Sequence, residues 1–247
     1  MIHFFVTSSG KSYEFQTELF LRSLQTQEKN FALTVCGSAT RYVSRFAEVI
    51  PLPQSKFNPP WYAGLTCVPQ KGDITIYADA DILIAGKLDI FHKPIVQGVI
   101  AYANPKIDWQ HLFQTANLPC NLDYKYSVED GACPYYVNIG FVAVPSYLIP
   151  QLNELLHFYL EVCERVYPGH YHRPQLSMCL ALEHLKVNRT VLPIKYNFPD
   201  LYNLDDKDAV VFHLLKTRSK LHDWKSLKSV PGRAGEVLNR LVKSLVL

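Results

Sequence analysis

Apolar residues along the chain fall into short runs separated by helical stripes. Residues 2–7 (IHFFVT) form an apolar run that stops at Ser8, Ser9 and Gly10, so a first buried strand ending in a turn is expected. Residues 13–26 bring Phe15, Leu19, Leu21 and Leu24 near one helical face. A second strand at 31–36 ends at Gly37, a short helix follows at 40–47, and a third strand covers 49–52. SKFNPPWYAG reads as loop, because Pro59 and Pro60 oppose regular structure. Residues 73–78 are β-branched and aromatic after a Gly turn, which predicts a buried strand, and 99–104 predict another. Residues 105–134 lack a clean period and hold Pro119, Gly131 and Pro134, so they read as a partly ordered connection. A strand at 135–145, bent at Gly140, precedes helices at 148–166 and 174–186, the second opening on a proline where proline is tolerated. Late strands are expected at 190–194 and 209–215. The chain closes on an amphipathic helix at 234–246, with Val237, Leu238, Leu241, Leu245 and Val246 in its apolar stripe and Arg240 and Lys243 outside it.

Strand–helix alternation of this kind implies an α/β fold: a mixed, mostly parallel sheet flanked by helices on both faces. There is no internal repeat, low-complexity tract or linker, so one domain over 1–247 is the simplest organisation. At 48% hydrophobic residues a sizeable core can be buried. A net charge of +3, from 25 basic and 22 acidic residues, is too mild to call for a nucleic-acid partner. The six cysteines show no CxxC spacing and sit mostly in apolar stretches, which points to buried free thiols in a reducing compartment. No window approaches the roughly 20 apolar residues of a membrane span. The first apolar run is too short for a signal segment. A cytoplasmic protein is expected. The closing helix should pack on the domain, with peripheral membrane contact its lesser use.

The sharpest chemical feature is Asp79-Ala80-Asp81, directly after the apolar residues ITIYA. Ionised carboxylates are costly to bury unpaired, so these belong at the strand's C-terminal edge, where open α/β sheets bind ligands. Two carboxylates spaced this way can grip one hard cation, or a cation and a ribose hydroxyl; the plainer alternative is an acidic turn. His213, after the run AVVF, is either a core histidine or a ligand. Lys216, Arg218 and Lys220 follow it, either as a solvated loop or as a phosphate clamp.

The run IYADADIL resembles the metal-binding signature of the GT-A fold nucleotide-sugar glycosyltransferases, and further segments resemble their GT8-like branch in the same order. YVNIGFVAV matches an Asn-x-Gly strand through Asn138 and Gly140. PQLSMCLAL matches a helix that often opens Asp-Gln, with Gln175 present and Pro174 in place of the acid. VLPIKYNF supplies Asn197, and VVFHLLKTRSK matches the strand that ends in a metal-binding histidine. SKLHDW, with Trp224, departs from the Lys-Pro-Trp-like element usual in that place. The resemblance implies a transferase moving a sugar from a nucleotide-sugar donor, a UDP-sugar above others, to an acceptor (glycan, lipid or protein) that the sequence does not name. It implies Mn²⁺ or Mg²⁺ held by Asp79, Asp81 and His213, with Asp79 also able to reach the ribose. Thr7 and Ser8 match the place where the nucleotide is received, with Lys216, Arg218 and Lys220 on the diphosphate. Asn138 and Gln175 are candidates to face the sugar. Asp130, with Glu129 before it, is a candidate for acceptor contacts or for a general base.

Two other classes fit parts of the pattern. A haloacid-dehalogenase-like phosphatase also places Asp-x-Asp after a buried strand, but near the chain start and with Thr or Val where Leu83 stands here. A non-catalytic nucleotide-sugar-binding module could share the fold, since fold alone does not prove catalysis. A nucleotidyltransferase would want a richer glycine loop than TSSGKSYEF, and a glycosidase would want a spaced acid pair.

Overall fold

A computed structural model describes residues 1–57, 59–202 and 204–245. In chain order its elements are β1 (Ile2–Ser8), α1 (Lys11–Gln27), β2 (Phe31–Gly37), β3 (Glu48–Ile50), β4 (Ile74–Ala78), β5 (Ile82–Ile84), β6 (Val96–Ile100), α2 (Trp109–Thr115), β7 (Tyr124–Lys125), β8 (Ala132–Cys133), β9 (Val137–Pro145), α3 (Ile149–Val166), α4 (Arg173–Leu185), β10 (Arg189–Val191), β11 (Phe198–Pro199), β12 (Val211–His213) and α5 (Gly232–Leu245). Seven strands form the main sheet in the order β10-β6-β9-β4-β1-β2-β3. All its pairings are parallel except those of β9, which runs antiparallel to both β4 and β6. The mixed, mostly parallel sheet read from the sequence is therefore present.

The period of two along β1 divides the core. Ile2, Phe4 and Val6 pack with Phe20, Leu21 and Leu24 of α1 on one face. Phe5 points the other way, into a cluster with Tyr77 and with Leu152, Leu156 and Leu176 of α3 and α4. A third cluster joins Phe15 and Leu19 of α1 to Ala234, Val237, Leu238 and Leu241 of α5. The closing helix thus covers the outer side of α1. Val246 and the side chain of Leu245 lie outside the described residues.

Several boundaries differ from the sequence pattern. Pro60 does not prevent regular structure: it opens a 3-10 helix, Pro60–Thr66, at the position where a missing N–H costs nothing. The 40–47 segment makes only one 3-10 turn, Val43–Arg45. The strand expected at 99–104 runs instead over 96–100. Its ladder with β9 breaks after Gly98–Val142 and resumes at Ile100–Val137, which leaves three more residues on β9 than on β6. Residues 101–104 consequently leave the sheet. Within 105–134 stand α2, opened by the Asp108 side chain accepting from His111 N–H, and the small β7–β8 hairpin. The late strand expected at 209–215 shortens to β12, which pairs antiparallel with β5 and parallel with β11. Among the described residues, no helix is long and apolar enough to cross a membrane.

Candidate active site

The C-terminal ends of β1 and β4 lie side by side where successive strands depart in opposite directions, to β2 on one side and to β4 and β9 on the other. Such a reversal opens a crevice at the sheet edge. Asp79 follows β4 directly, and its N–H donates to the Gly140 carbonyl at 2.9 Å, tying the Asp-x-Asp turn to the bulged part of β9. Asp81 immediately precedes β5. Because β5 pairs with β12 and Ile82 stands opposite His213, the histidine arrives beside Asp81. His213 Nε2 lies 3.3 Å from Asp79 Oδ2 and 3.4 Å from Asp81 Oδ1. Ligand atoms of the three residues all lie within 4.8 Å of one another.

Asp81 and His213 are buried, whereas the Asp79 side chain is 37% exposed and opens to the cleft. Burial alone would push the Asp81 carboxyl up, but His213 and then Arg218 outweigh it and hold it below its ordinary value. Burial likewise opposes charge on His213, yet Asp81 and Asp79 dominate and raise it to about 10. Two carboxylates here demand positive charge. The residues fit a divalent cation on three counts. The donor set, two carboxylates and an imidazole, suits Mn²⁺ or Mg²⁺. His213 Nε2 is buried without a hydrogen-bond partner. Gly140 leaves the space open: a Cβ there would come within 2.4 Å of His213 Cε1 and 2.8 Å of Asp79 Oδ2.

Two contiguous cavities meet at this cluster. The narrower, about 100 Å³, is lined by Thr7, Ser9, Tyr13, Trp61, Asp79, Ala80, Asp81, Tyr171 and Arg218. The wider, about 460 Å³, includes Tyr102, Asn104, Tyr136, Asn138, Gly140, His172, Gln175, Tyr202 and His213. Trp61, Asp79, Tyr171 and Arg218 line both. Trp61 stands in the Pro60–Thr66 turn and Tyr171 in the loop before α4. The Tyr62 hydroxyl ties these two segments together by donating to the Tyr171 carbonyl at 2.8 Å.

The structure brings together Asp79, Asp81, His213, Arg218, Thr7, Asn138 and Gln175. It does not bring in the rest. Ser8 is buried behind the cleft, with Ser9 at the surface instead. Lys216 and Lys220 line a separate depression beside Asp200 and Asp206. The cause is local: Asp200 accepts from the N–H groups of Lys216 and Thr217, and the 3-10 turn at Arg218–Lys220 then sends Arg218 alone to the crevice. Asp130 is exposed and lines neither cavity. Sequence reasoning missed Tyr13, Tyr102, Tyr171 and His172. Only the aromatic richness around YAN and GHYHRP could have drawn attention to them.

The fold is of the GT-A type, that of a galactosyltransferase, LgtC. A structure of that enzyme in complex with donor and acceptor sugar analogues matches with a TM-score of 0.62 and 12% identity, over 98% of this chain and 95% of that one. A structure of an active-site Gln-to-Glu variant of LgtC matches with a TM-score of 0.61 and 11% identity, over the same shares. No protein-family profile matches the sequence, and no curated protein is similar to it in sequence.

Proposed function

We propose that the protein is a metal-dependent glycosyltransferase that moves a sugar from a UDP-sugar to an acceptor seated in the wider cavity. The observation that carries this reading is the meeting of Asp79, Asp81 and His213 at the junction of two contiguous cavities on this fold. Asp81 and His213 would hold the cation from below, and the more exposed Asp79 would reach it from the cleft. When bound, Mn²⁺ or Mg²⁺ would supply Lewis-acid neutralisation of the charge that grows on the leaving diphosphate.

The chain's own residues divide the remaining work. Thr7, Ser9 and Tyr13 would receive the nucleotide in the narrow cavity. Arg218, whose Nη1 lies 3.5 Å from Asp81 Oδ2, is positioned to donate to phosphate oxygens. Trp61 and Tyr171 would close the junction against water. Asn138 and Gln175, both uncharged and nearly buried, would hold sugar hydroxyls. Asp79 is the only carboxylate lining the wider cavity among the described residues. With that group engaged by the cation, the lining offers no carboxylate base, which favours retention at the anomeric carbon.

The test is a thermal melt with UDP, GDP, ADP and CMP, each with and without Mn²⁺. UDP and Mn²⁺ together should stabilise far more than either alone. Ligand at a hundred times its Kd gives about 2.7 kcal/mol, or a shift on the order of 5–10 °C for a domain of this size. A Mn²⁺-dependent shift with another diphosphate changes the donor. No shift under any condition, in a folded sample, rejects the reading.

A further inference from the structure

We propose that Tyr102 and Asn197 are positioning residues that keep the ring proton of His213 on Nδ1, so that Nε2 is the nitrogen offered to a cation between Asp79 and Asp81. The inference rests on the metal site of the preceding section but not on the transferase activity.

One group at the site has a fixed polarity. The backbone N–H of Gly140 can only donate, and it meets Asn138 Oδ1 at 2.9 Å. The atom it meets must therefore be the oxygen of that amide, although oxygen and nitrogen of an Asn side chain are otherwise interchangeable. Asn197 Nδ2 donates to the same oxygen at 3.1 Å, which fixes the second amide with its Oδ1 toward Tyr102. The Tyr102 hydroxyl lies 2.8 Å from Asn197 Oδ1 and 2.8 Å from the Asn197 carbonyl. Both are acceptors, and the phenol has a single proton to give. That proton goes to Asn197. Pointing it elsewhere would set the phenol lone pairs against two carbonyl oxygens in a buried site.

His213 Nδ1 lies 3.2 Å from the same phenol oxygen, now an acceptor. Nδ1 must therefore carry a proton and donate it. With a cation between the carboxylates the imidazole is neutral and has only one ring proton, so Nε2 is left with its lone pair for the cation. Four side chains thus transmit the polarity of one backbone N–H to the metal-facing nitrogen. Metal-ligating histidines usually gain orientation and basicity from a partner on the far nitrogen; here that partner is a phenol oxygen oriented by two amides.

Two measurements test this. The first uses the wild-type protein loaded with Zn²⁺ as a diamagnetic probe and ¹⁵N-labelled at histidine. His213, identified by its absence in His213→Ala, should show a protonated, pyrrole-type Nδ1. An unprotonated, pyridine-type Nδ1 overturns the proposal, and this result needs no Tyr102 variant to fold. The second titrates Mn²⁺ against wild type and Tyr102→Phe by the loss of free-ion EPR signal. We expect the variant to bind Mn²⁺ about ten-fold or more weakly while still melting cooperatively, because an imidazole freed to protonate Nε2 competes with the cation. Equal affinity overturns the proposal, as does a wild type that takes up no Mn²⁺. A wild type that takes up Mn²⁺ yet gives no response to any nucleotide rejects the transferase reading alone.

Discussion

Gly140 and His213 are in steric register: a single methyl group on Gly140 would stand 2.4 Å from Cε1 of the imidazole. Cβ atoms do not approach other carbons that closely, so one of the two must move. The backbone of Gly140 is not among the positive-φ residues, so alanine is locally acceptable there and the conflict lies with the site. Gly140→Ala should reduce turnover by about ten-fold or more by displacing His213 or Asp79 from the proposed metal site, the scale of loss seen when the groups that orient metal ligands are disturbed. Kinetics with varied Mn²⁺, beside a melting curve, checks this; unchanged Mn²⁺ dependence would show that the cradle does not shape the site.

Asp81 is buried, so its removal acts on more than the proposed metal site. Asp81→Asn keeps the volume and removes the charge that His213 and Arg218 share. Transfer should fall below detection at ordinary Mn²⁺ concentrations. In the metal-free protein, His213 should lose its main support for a proton and titrate lower. Histidine NMR alongside an activity assay reads both; near-normal turnover at low Mn²⁺ would remove Asp81 from the site.

Arg218 reaches the crevice whereas Lys216 and Lys220 do not. Arg218→Ala should raise the donor KM about ten-fold, the scale of a charge-assisted hydrogen bond lost. Lys216→Ala and Lys220→Ala should leave that KM unchanged. Equal effects from all three would mean that the loop closes on the diphosphate as a unit.

His3 lies buried in the sheet with Nε2 3.0 Å from Thr34 Oγ1 and Nδ1 3.4 Å from Thr75 Oγ1. Burial, with Lys71 adding to it, lowers its pKa to about 4. Between that value and the ordinary histidine value the unfolded chain binds more protons. Stability should therefore fall as pH drops through this window, by up to about 3 kcal/mol from this one group. Urea melts of wild type and His3→Asn near neutral pH and near pH 4.5 give the difference. The variant should lose less stability on acidification; equal losses would assign the acid sensitivity to other groups.

Leu238 is fully buried in the cluster that joins α5 to α1. Leu238→Ala should cost about 2–5 kcal/mol, measurable by denaturant unfolding. Liposome co-sedimentation that disappears on removing residues 234–247 would instead mean that the apolar stripe serves a lipid surface.

Local pattern alone specifies the buried strands β1 and β4, the helices α3 and α4, and the placement of two acids at a strand end. Each rests on a periodicity or on the cost of burying charge, properties of neighbouring residues. The choice of one histidine among nine was not of that kind. His213 becomes a partner of Asp81 only because β12 lies antiparallel against β5, across more than a hundred residues of chain. The same holds for the bulge in β9 that frees Asn138 and Gly140, and for the amide and phenol groups that orient His213. It also holds for the loop after His213, where Asp200 turns two lysines away and leaves Arg218 at the crevice. Strand pairing and side-chain polarity at a distance are decided by the whole packed chain, because each contact is worth forming only once the others have brought its partners together.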